Sequence, residues 1–485
     1  MPSFLSRNLT PNLIQNISIL KKNNSKIISS DNENFAKTPE GYNNFNDASV
    51  HKNLKKIWIE SYGCSANVAD AEIIAGILKK NGYVITHDPK NAELNFIVTC
   101  SVKDVTEHRM LYRIEELSKT KKPLIVGGCL PKTISSKIEK INPTVSMLGP
   151  NSIDKTLETV TSALNGTKTI HLTDSIENKI NLPKERSNPI VGIIEIGSGC
   201  LSECSFCQTK IAKGWLTSYR IGDIVRQITT DVLQGCREIW LTSTDSGCYG
   251  RDINTNLVEL LKSCTKVDGE FKIRLGMVHP LFLSDMVDDL IKIYMKSDKI
   301  FKFLHIPVQS GSNNVLKSMK RNHSIELFIN IVNKFREQIP DLTIATDVIV
   351  GFPTETEKDF EQTIDVIKNI SPDTVHISKY SSREGTVSSK YKKLPSQIIK
   401  HRSEKMSKIC NHVIEKRDAF WYNWRGPMLI NQTKSNYVLG RNYAYKSIFI
   451  KKSEFSNLNL SYKLGDTVNI RVVGKFRHSL EGKLV

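Results

Sequence analysis

Three cysteines lie together in one loop of this chain of 485 residues, at a C-x3-C-x2-C spacing. They are Cys200, Cys204 and Cys207, called here the loop trio, and they directly follow the largely apolar run 191–196. Thiolates are soft ligands that suit zinc ions and iron–sulfur clusters. A structural zinc ion prefers four ligands, whereas this loop offers three sulfurs and no histidine. Three thiolates on a four-iron cluster would leave one iron open for chemistry, so we interpret the loop as a catalytic cluster site; a zinc loop is the alternative.

Alternating strand-like and helix-like segments follow the loop and must position its sulfurs. Six apolar runs predict parallel strands, and the amphipathic segments between them predict outer helices. Such a pattern is typical of a partial (β/α)6 barrel, whose active site lies at the carboxyl ends of the strands. The loop trio follows the first strand and therefore lies at that end. The predicted strands are 193–196, 238–242, 272–276, 303–307, 343–350 and 374–378.

Three more cysteines each follow a predicted strand in the region that begins near residue 55. Cys64, Cys100 and Cys129, called here the sheet trio, are 36 and 29 residues apart, about one strand–helix unit each. Apolar strands alternating with helices predict an α/β fold with a doubly wound parallel sheet, whose strands share one crevice at their carboxyl ends. We therefore expect the three sulfurs to converge as a second metal site; three unrelated buried cysteines are the alternative. The predicted strands are 56–60, 94–99 and 123–126, and the predicted helices are 69–81 and 106–119.

Residues 425–485, called here the basic module, are strand-rich and strongly charged. Short alternating runs at 437–441, 447–450 and 467–473 predict a small all-β barrel of the OB-like type. The module holds 11 Lys+Arg and 3 Asp+Glu, a net +8. Basic strands interleaved with aromatic side chains are typical of an RNA-binding sheet, and a plain solvated face is the alternative. The aromatic residues are Tyr437, Tyr443, Tyr445 and Phe476.

The overall composition narrows the class of partner. Lys+Arg 68 against Asp+Glu 50 gives a net charge of +18, which indicates an anionic partner, either nucleic acid or a membrane surface. No run of about 18 apolar residues occurs, so we expect no bilayer-spanning segment and no membrane partner. Ten cysteines in this length fit ligands in a reducing cytosol better than a disulfide scaffold, which predicts a cytoplasmic location. Four of them have no partner at metal-ligand spacing and are predicted to be core or surface thiols: Cys236, Cys248, Cys264 and Cys410.

The motifs around both trios resemble those of the radical S-adenosylmethionine methylthiotransferases. The similar segments are 62–67 (YGCSAN), 99–102 (TCSV), 127–131 (GGCLP), 199–207 (GCLSECSFC) and 305–312 (HIPVQSGS), and the segment 440–446 (GRNYAYK) resembles a TRAM domain, the RNA-binding tail of that family. The resemblance covers about residues 55–485. It implies two [4Fe-4S] clusters, one on each trio, and S-adenosylmethionine chelated at the open iron of the loop cluster. One-electron reduction would then give a 5′-deoxyadenosyl radical, and the sheet-trio cluster would carry or deliver the sulfur.

The resemblance also implies which residues contact S-adenosylmethionine. They follow predicted strands at the carboxyl ends of the barrel, and a glycine among them would allow close backbone approach to the ligand. The predicted contacts are Phe206, Ser243, Thr244, Asp245, Gln309, Ser310, Asp347 and Gly351.

Two segments resemble the archaeal and eukaryotic branch of that family, which acts on threonylcarbamoyladenosine at position 37 of tRNA: 209–214 (TKIAKG) and 274–277 (RLGM). Thr244 stands where that branch usually has an acid, and His279 stands where it usually has asparagine. The expected activity is therefore methylthiolation of tRNA. The alternatives are another methylthiotransferase substrate, isopentenyladenosine in tRNA or a ribosomal protein, and a zinc-containing, non-catalytic RNA-binding protein.

These predictions divide the chain into five parts. Residues 1–50 hold ten asparagines and too little apolar surface to fold, which predicts a disordered leader. The expected partners are the anticodon stem-loop of tRNA, an electron donor protein and a sulfur donor, and the chain is expected to be a monomer. The predicted parts are a leader at 1–52, a methylthiotransferase N-terminal domain at 53–165, a linker at 166–188, a radical S-adenosylmethionine domain at 189–424 and a TRAM domain at 425–485.

Overall fold

The computed structural model of the protein describes residues 54–102, 104–174 and 178–485. The leader predicted at 1–52 lies outside these residues. Among the helices of the described ranges, none is both long enough and apolar enough to cross a membrane.

Six parallel strands form the first sheet, in the order β2-β1-β3-β4-β5-β6. The central strand β3 is buried along its whole length, as expected for an apolar strand that is covered on both faces. Helices α2 and α3 pack on one face and α1 and α4 on the other, which confirms the doubly wound prediction. The strands are β1 (Lys56–Ser61), β2 (Val84–Thr86), β3 (Leu94–Thr99), β4 (Leu124–Gly128), β5 (Ser146–Leu148) and β6 (Ile170–His171), and the helices are α1 (Ser65–Lys80), α2 (Asp104–Ser118), α3 (Cys129–Ile141) and α4 (Thr156–Leu164).

The central region holds the six predicted parallel strands in sequence order around an arc. Strands β7, β9 and β10 form one sheet and β11, β12 and β13 another, and one isolated pairing between Ile273 and Ile300 joins the two. A short antiparallel strand, β8, pairs with the end of β7. The partial barrel is therefore confirmed. Its strands are β7 (Val191–Ser198), β8 (Thr217–Ser218), β9 (Glu238–Ser243), β10 (Lys272–Leu275), β11 (Phe303–His305), β12 (Thr343–Val350) and β13 (Thr374–Lys379).

Helices cover the outside of this arc, and their apolar faces meet the strands in the largest hydrophobic core of the described chain. The helices are α5 (Thr209–Lys213), α6 (Ile221–Leu233), α7 (Leu257–Cys264), α8 (Pro280–Leu283), α9 (Val287–Lys296), α10 (Asn313–Ser318), α11 (Ile325–Gln338), α12 (Glu357–Ile370) and α13 (Ser396–Ala419).

The basic module is a closed five-stranded barrel in the order β14-β15-β16-β18-β17, as predicted. Its interior is filled by apolar side chains such as Met428, Ile448 and Ile470. Trp421, at the end of the preceding helix, is only 1% exposed and packs into the same core. The elements are β14 (Arg425–Thr433), β15 (Tyr437–Arg441), β16 (Ser447–Lys451), α14 (Lys452–Asn457), β17 (Thr467–Phe476) and β18 (Ser479–Leu484).

The basic module contacts the amino-terminal ends of the central strands. The Asn431 side chain donates a hydrogen bond of 2.8 Å to Glu238, the first residue of β9. Lys446 lies 3.0 Å from the carboxylate of Asp373, which directly precedes β13. Tyr443 donates a hydrogen bond to Asp341, just before β12. The module therefore lies at the opposite end of the strands from the loop trio.

Candidate active site

The loop trio is held by a tight turn at the end of β7. Gly199 has a φ of +74°, and a Cβ atom at this position would lie 2.0 Å from the carbonyl oxygen of Trp215, so only glycine fits. Cys200 is buried, and its sulfur accepts a hydrogen bond of 3.3 Å from the backbone N–H of Ser202. Arg321 donates from one guanidinium nitrogen to the sulfur of Cys204 at 3.5 Å and from another to the carbonyl of Pro307 at 2.9 Å. These contacts orient two of the three sulfurs.

Cys248 is a neighbour of the loop trio. The sequence predicted a core or surface thiol without a partner at metal-ligand spacing, so this contact was not expected. The sulfurs of Cys248 and Cys200 and a carboxylate oxygen of Asp245 all lie within 4.8 Å of one another. A hydrogen bond with Cys248 is the largest of the causes that lower the pKa of Cys200. The spacing of 48 residues gives no sequence signal, because the contact depends on how the turn after β9 folds back onto the loop.

The sheet trio is brought together by three neighbouring strands of the first sheet. Cys64 caps the amino terminus of α1, Cys100 directly follows β3, and Cys129 is the first residue of α3, after β4. A Cβ atom on Gly63, whose φ is +106°, would lie 2.3 Å from the Cβ of Cys100. A Cβ atom on Gly128, whose φ is +86°, would lie 2.4 Å from the carbonyl oxygen of Thr99. The three turns are therefore in close contact.

The electrostatic surroundings of the sheet trio favour the thiolate form of Cys64 in particular. A hydrogen bond with the Cys100 thiol, with help from Lys213, lowers the pKa of Cys64 to about 6. Burial raises the pKa of Cys129 to about 11, and the positive charge of Lys213 opposes this shift. Two of the thiols lie at helix amino termini, a position that stabilises thiolates.

The spacing of both trios fits a cluster better than a single ion. Around one zinc ion, sulfurs at about 2.3 Å from the metal lie about 3.8 Å from one another. In the described part of the chain, two groups of potential ligands have all their atoms within 4.8 Å of one another, and neither trio is one of them. Wider spacing is expected where each sulfur binds a different iron of a cubane. The three-thiolate donor set therefore fits a [4Fe-4S] cluster at each trio, and in each trio at least one pair of sulfurs lies more than 4.8 Å apart.

Contacts between neighbouring elements connect the two trios. Helix α5 begins two residues after Cys207 and packs on α3, which begins with Cys129. The hydroxyls of Ser65, next to Cys64, and Thr242, near the end of β9, are hydrogen-bonded at 2.8 Å. Both trios therefore lie at one junction between the first sheet and the central barrel.

Several residues predicted to contact S-adenosylmethionine present unsatisfied acceptors at this junction. The carboxylate of Asp245 accepts hydrogen bonds from the backbone N–H groups of Gly247 at 2.9 Å and His279 at 3.0 Å through one oxygen. Its second oxygen, the Thr244 hydroxyl and the Gln309 side-chain oxygen are buried without a hydrogen-bond partner among the described residues. Burial raises the pKa of Asp245 to about 6. Buried acceptors without donors fit a ligand that supplies N–H groups, as the methionine amino group of S-adenosylmethionine would.

The other predicted contacts have protein partners in the structure. Phe206 packs edge-on against Phe352, with ring centroids 6.5 Å apart. Ser310 accepts a hydrogen bond of 3.2 Å from the backbone N–H of Ser312. Gly351 has a φ of +77°, and a Cβ atom there would lie 2.6 Å from Ile399, so helix packing already requires glycine at this position. Ser243 ends β9, with its hydroxyl 3.2 Å from that of Ser246.

Asp347 belongs to a group that sequence reasoning did not assemble. His305 Nε2 and a carboxylate oxygen of Asp347 are 2.7 Å apart, and His376 lies opposite Asp347 in the pairing of β12 with β13. Ligand atoms of all three lie within 4.8 Å of one another. The parallel register of β12 and β13 is enough to predict that Asp347 lies beside His376. The contact with His305 could not be predicted in this way, because it also depends on where β11 lies.

The basic module only partly presents the aromatic surface expected for RNA. Tyr445 packs against Phe301 and Phe303 of the central barrel, with ring centroids 4.9 Å apart in each pair. Tyr437 and Phe476 instead flank Phe449, at 4.9 and 4.5 Å. The Phe476 side chain is 39% exposed. Phe476 and the partly exposed Tyr437 therefore remain available for stacking on either side of the buried Phe449, whereas Tyr443 and Tyr445 fix the module to the barrel.

Comparisons with known proteins identify two regions of this chain. Residues 194–367 match the model of the radical SAM superfamily, and residues 56–149 match the model of an uncharacterized protein family, UPF0004. A protein of Pyrococcus abyssi named "Probable threonylcarbamoyladenosine tRNA methylthiotransferase" is 38% identical over 429 residues, which are 86% of this chain and 100% of that protein. The Homo sapiens protein named "Threonylcarbamoyladenosine tRNA methylthiotransferase" is 32% identical over 448 residues, 89% of this chain and 74% of that protein.

Among solved structures, the radical S-adenosylmethionine methyltransferase TsrM of Kitasatospora setae, with cobalamin and a [4Fe-4S] cluster bound, has a similar fold. The TM-score is 0.50 at 13% identity, with 67% of this chain and 75% of that chain covered. At this identity the likeness concerns the fold alone.

Proposed function

This chain belongs to the threonylcarbamoyladenosine tRNA methylthiotransferase family, and from that membership we propose how its two cysteine sites divide the reaction. The enzyme replaces the C2–H of N6-threonylcarbamoyladenosine at position 37 of tRNA with a methylthio group. The names of the relatives favour this substrate over isopentenyladenosine or a ribosomal protein. An aromatic C–H is beyond the reach of acid–base chemistry by side chains, which explains the need for a radical.

One observation carries the proposal: the two trios lie at a single junction, joined by the packing of α5 on α3. Cys200, Cys204 and Cys207 would hold the cluster that binds S-adenosylmethionine, and Cys64, Cys100 and Cys129 would hold the second cluster. When bound, the first cluster and S-adenosylmethionine supply a radical by one-electron reduction, and the second cluster supplies the sulfur. The common junction supports a substrate base positioned between them.

The chain's own side chains would then bind and orient the cofactor. The free oxygen of Asp245, the Thr244 hydroxyl and the Gln309 amide oxygen would accept N–H groups of S-adenosylmethionine. Gln309 has a φ of +68°, a strained backbone that is held in place by its pairing with β12. Arg321 would orient the sulfur of Cys204.

The substrate RNA would contact the basic module, whose net charge of +8 suits a phosphate backbone. The rings of Phe476 and the partly exposed Tyr437, which pack on either side of Phe449, are available for stacking. An electron donor protein and a sulfur donor are needed to sustain turnover. We further propose that the protein works as a monomer in the cytoplasm.

Anaerobic reconstitution followed by iron and sulfide analysis tests the cluster assignment. About eight irons per chain are expected, four at each trio. With S-adenosylmethionine, a reductant and tRNA that carries threonylcarbamoyladenosine, nucleoside mass spectrometry should detect the 2-methylthio product. A colourless protein that retains zinc and no iron would contradict the proposal and favour a non-catalytic RNA-binding protein. A matched control is the Cys64→Ala, Cys100→Ala, Cys129→Ala variant, which should keep about four irons and cleave S-adenosylmethionine without forming product.

A further inference from the structure

Four charged side chains form a buried network between the first sheet and the central barrel. Lys213 lies 2.5 Å from one oxygen of Glu195, and Lys179 lies 2.9 Å from the other. Lys179 also lies 2.9 Å from Asp70. Each of the four side chains is at most 7% exposed. The formal charges of two lysines and two carboxylates sum to zero, which offsets part of the cost of burial, and burial raises the pKa of Asp70.

The members of the network come from the elements that carry the two trios. Asp70 lies on α1, which is capped by Cys64, and Glu195 lies on β7, five residues before Cys200. Lys213 ends α5, the helix that follows Cys207 and packs on α3, whose first residue is Cys129. The amide of Asn151 donates a hydrogen bond of 3.2 Å to the carbonyl of Lys213, which fixes the end of this helix.

The two lysines are not equivalent towards the sheet trio. The positive charge of Lys213 acts on two thiols of the sheet trio: it contributes to the lowered pKa of Cys64 and opposes the burial that raises the pKa of Cys129. For its own part, burial lowers the pKa of Lys213, but the charges of Glu195, Asp70 and the two thiols raise it well above its usual value. Lys179 contacts both Asp70 and Glu195, and it lies outside the helices and strands that adjoin the cysteines. Lys213 is thus the cation at the sheet-trio end.

A positive charge beside the sheet trio changes the reduction potential of a cluster that is bound there. A [4Fe-4S] cluster on three thiolates carries net negative charge, and reduction adds one more negative charge. A fixed positive charge in a buried, low-dielectric setting therefore stabilises the reduced form and raises the reduction potential. The same charge favours retention of the three thiolates as ligands.

We propose that Lys213 is a positioning residue of the sheet-trio cluster, which it stabilises in its reduced form through its positive charge. This inference rests on the proposed function, because it takes Cys64, Cys100 and Cys129 as ligands of a cluster. Lys179 holds the same carboxylates for structural reasons and has no such role.

The test uses the full chain with Cys200, Cys204 and Cys207 changed to alanine, so that only the sheet-trio cluster contributes to the spectrum. Redox titration followed by electron paramagnetic resonance compares Lys213→Met, Lys213→Arg and the matched control Lys179→Met. Lys213→Met should shift the ratio of oxidised to reduced cluster about tenfold towards the oxidised form at a fixed potential, about 59 mV for one electron. Lys213→Arg and Lys179→Met should stay within about twofold of the parent.

Lys213→Met leaves Glu195 with one partner fewer, so the variant Lys213→Met with Glu195→Gln keeps the network neutral and guards against misfolding. It should show a shift in the same direction that is smaller than in Lys213→Met alone, because the change at Glu195 also removes a negative charge. Equal shifts in Lys179→Met and Lys213→Met would overturn the proposal, because both would then act only through the network. An unchanged potential in the neutral double variant would overturn it as well. Absence of any cluster in the parent would instead refute the proposed function, so the two failures are distinguishable.

Discussion

The two cysteine sites have the same ligand set and are built in opposite ways. The loop trio comes from eight consecutive residues at one strand end, and its geometry depends on one turn at Gly199. The sheet trio comes from three turns, and its geometry depends on the parallel alignment of β1, β3 and β4. A local site can be recognised in the sequence but tolerates few changes within the loop. A dispersed site exists only when the sheet has folded, so it can be lost through changes that are distant in sequence.

The two cysteine sites also differ in the hydrogen-bond donors and charges that surround them. The loop trio has local donors, the Ser202 N–H and the neighbouring Cys248 thiol, with Arg321 as a cation at Cys204. The sheet trio has helix amino termini and the buried Lys213. The loop trio is therefore oriented by its own surroundings in the central barrel, whereas the sheet trio, in which Cys64 is exposed and Cys100 and Cys129 are buried, receives a cation from the other domain.

The largest expected effects separate the two sites by function. Cys200→Ala should abolish S-adenosylmethionine cleavage and product, because it removes a ligand of the cofactor-binding cluster. Cys129→Ala should abolish the methylthio product while cleavage continues. Measuring 5′-deoxyadenosine and modified nucleoside in the same reaction checks both outcomes. Loss of cleavage in Cys129→Ala, with normal iron at the loop trio, would break the division of roles.

A glycine substitution tests the dispersed construction of the sheet trio. Gly63→Ala should destabilise the protein by about 2–4 kcal/mol and lower the iron content from about eight to about four per chain, because its Cβ would lie 2.3 Å from Cys100 at a φ of +106°. Gly82→Ala is the matched control: it also has a positive φ, +82°, but nothing lies within 4 Å. It should cost about 1 kcal/mol and keep all the iron. Urea unfolding and iron analysis decide, and equal iron loss in both variants would contradict the prediction.

Acid should lower the free energy of unfolding of the protein through a buried histidine near the loop trio. Burial, together with Arg321, lowers the pKa of His323 to about 4, and burial, Arg321 and His323 lower that of His279. The unfolded chain binds a proton at His323 near pH 6.5, whereas the folded chain does so only near pH 4. Stability from this residue is therefore full above pH 6.5 and is lost as the pH falls towards 4, by about 2 kcal/mol.

The measurement is urea unfolding of the cluster-free chain at pH 7.0, 5.5 and 4.5. His323→Gln removes the titrating group, so its loss of stability over this range should be smaller by the same amount. Parallel pH profiles for the two proteins would show that His323 does not titrate in this way.

The smallest expected effect concerns the thiol beside Cys200. Cys248→Ala removes a hydrogen-bond partner of the Cys200 sulfur, and hydrogen bonds to ligand sulfurs contribute to cluster potentials. The loop cluster should become about two- to fourfold harder to reduce at a fixed potential, with no change at the sheet trio. Cys264→Ala, in the core at 0% exposure, is the control and should leave both clusters unchanged. A shift at the sheet trio alone would contradict the assignment.

Much of the architecture followed from patterns in the sequence, and the exceptions have physical causes. The six barrel strands are apolar and regularly spaced, and their predicted positions agree closely with the structure. Strands β2, β5 and β6 were not predicted, because strands of two or three residues are too short to show a recognisable period. Strand β6 lies within 166–188, the segment predicted as a linker, and extends the first sheet.

The candidate site was predictable where ligands follow strands and not where the fold brings distant residues together. Cysteines after parallel strands must lie at one edge, so the meeting of Cys64, Cys100 and Cys129 needed only strand assignments. The contact of Cys248 with Cys200 and the network around Lys213 depend on how loops and domains pack. Tyr445 shows the same limit, because alternation in a strand does not reveal which face another domain covers.

The position of the basic module sets a condition on the size of the substrate. The module contacts the amino-terminal ends of the strands, whereas the cysteines lie beyond their carboxyl ends, and the eight residues of β7 alone span about 26 Å. A single nucleoside is far too small to bridge that gap. An RNA held at both places would have to run along the side of the barrel, and the distance between the modified base and the part bound by the module would then select the substrate.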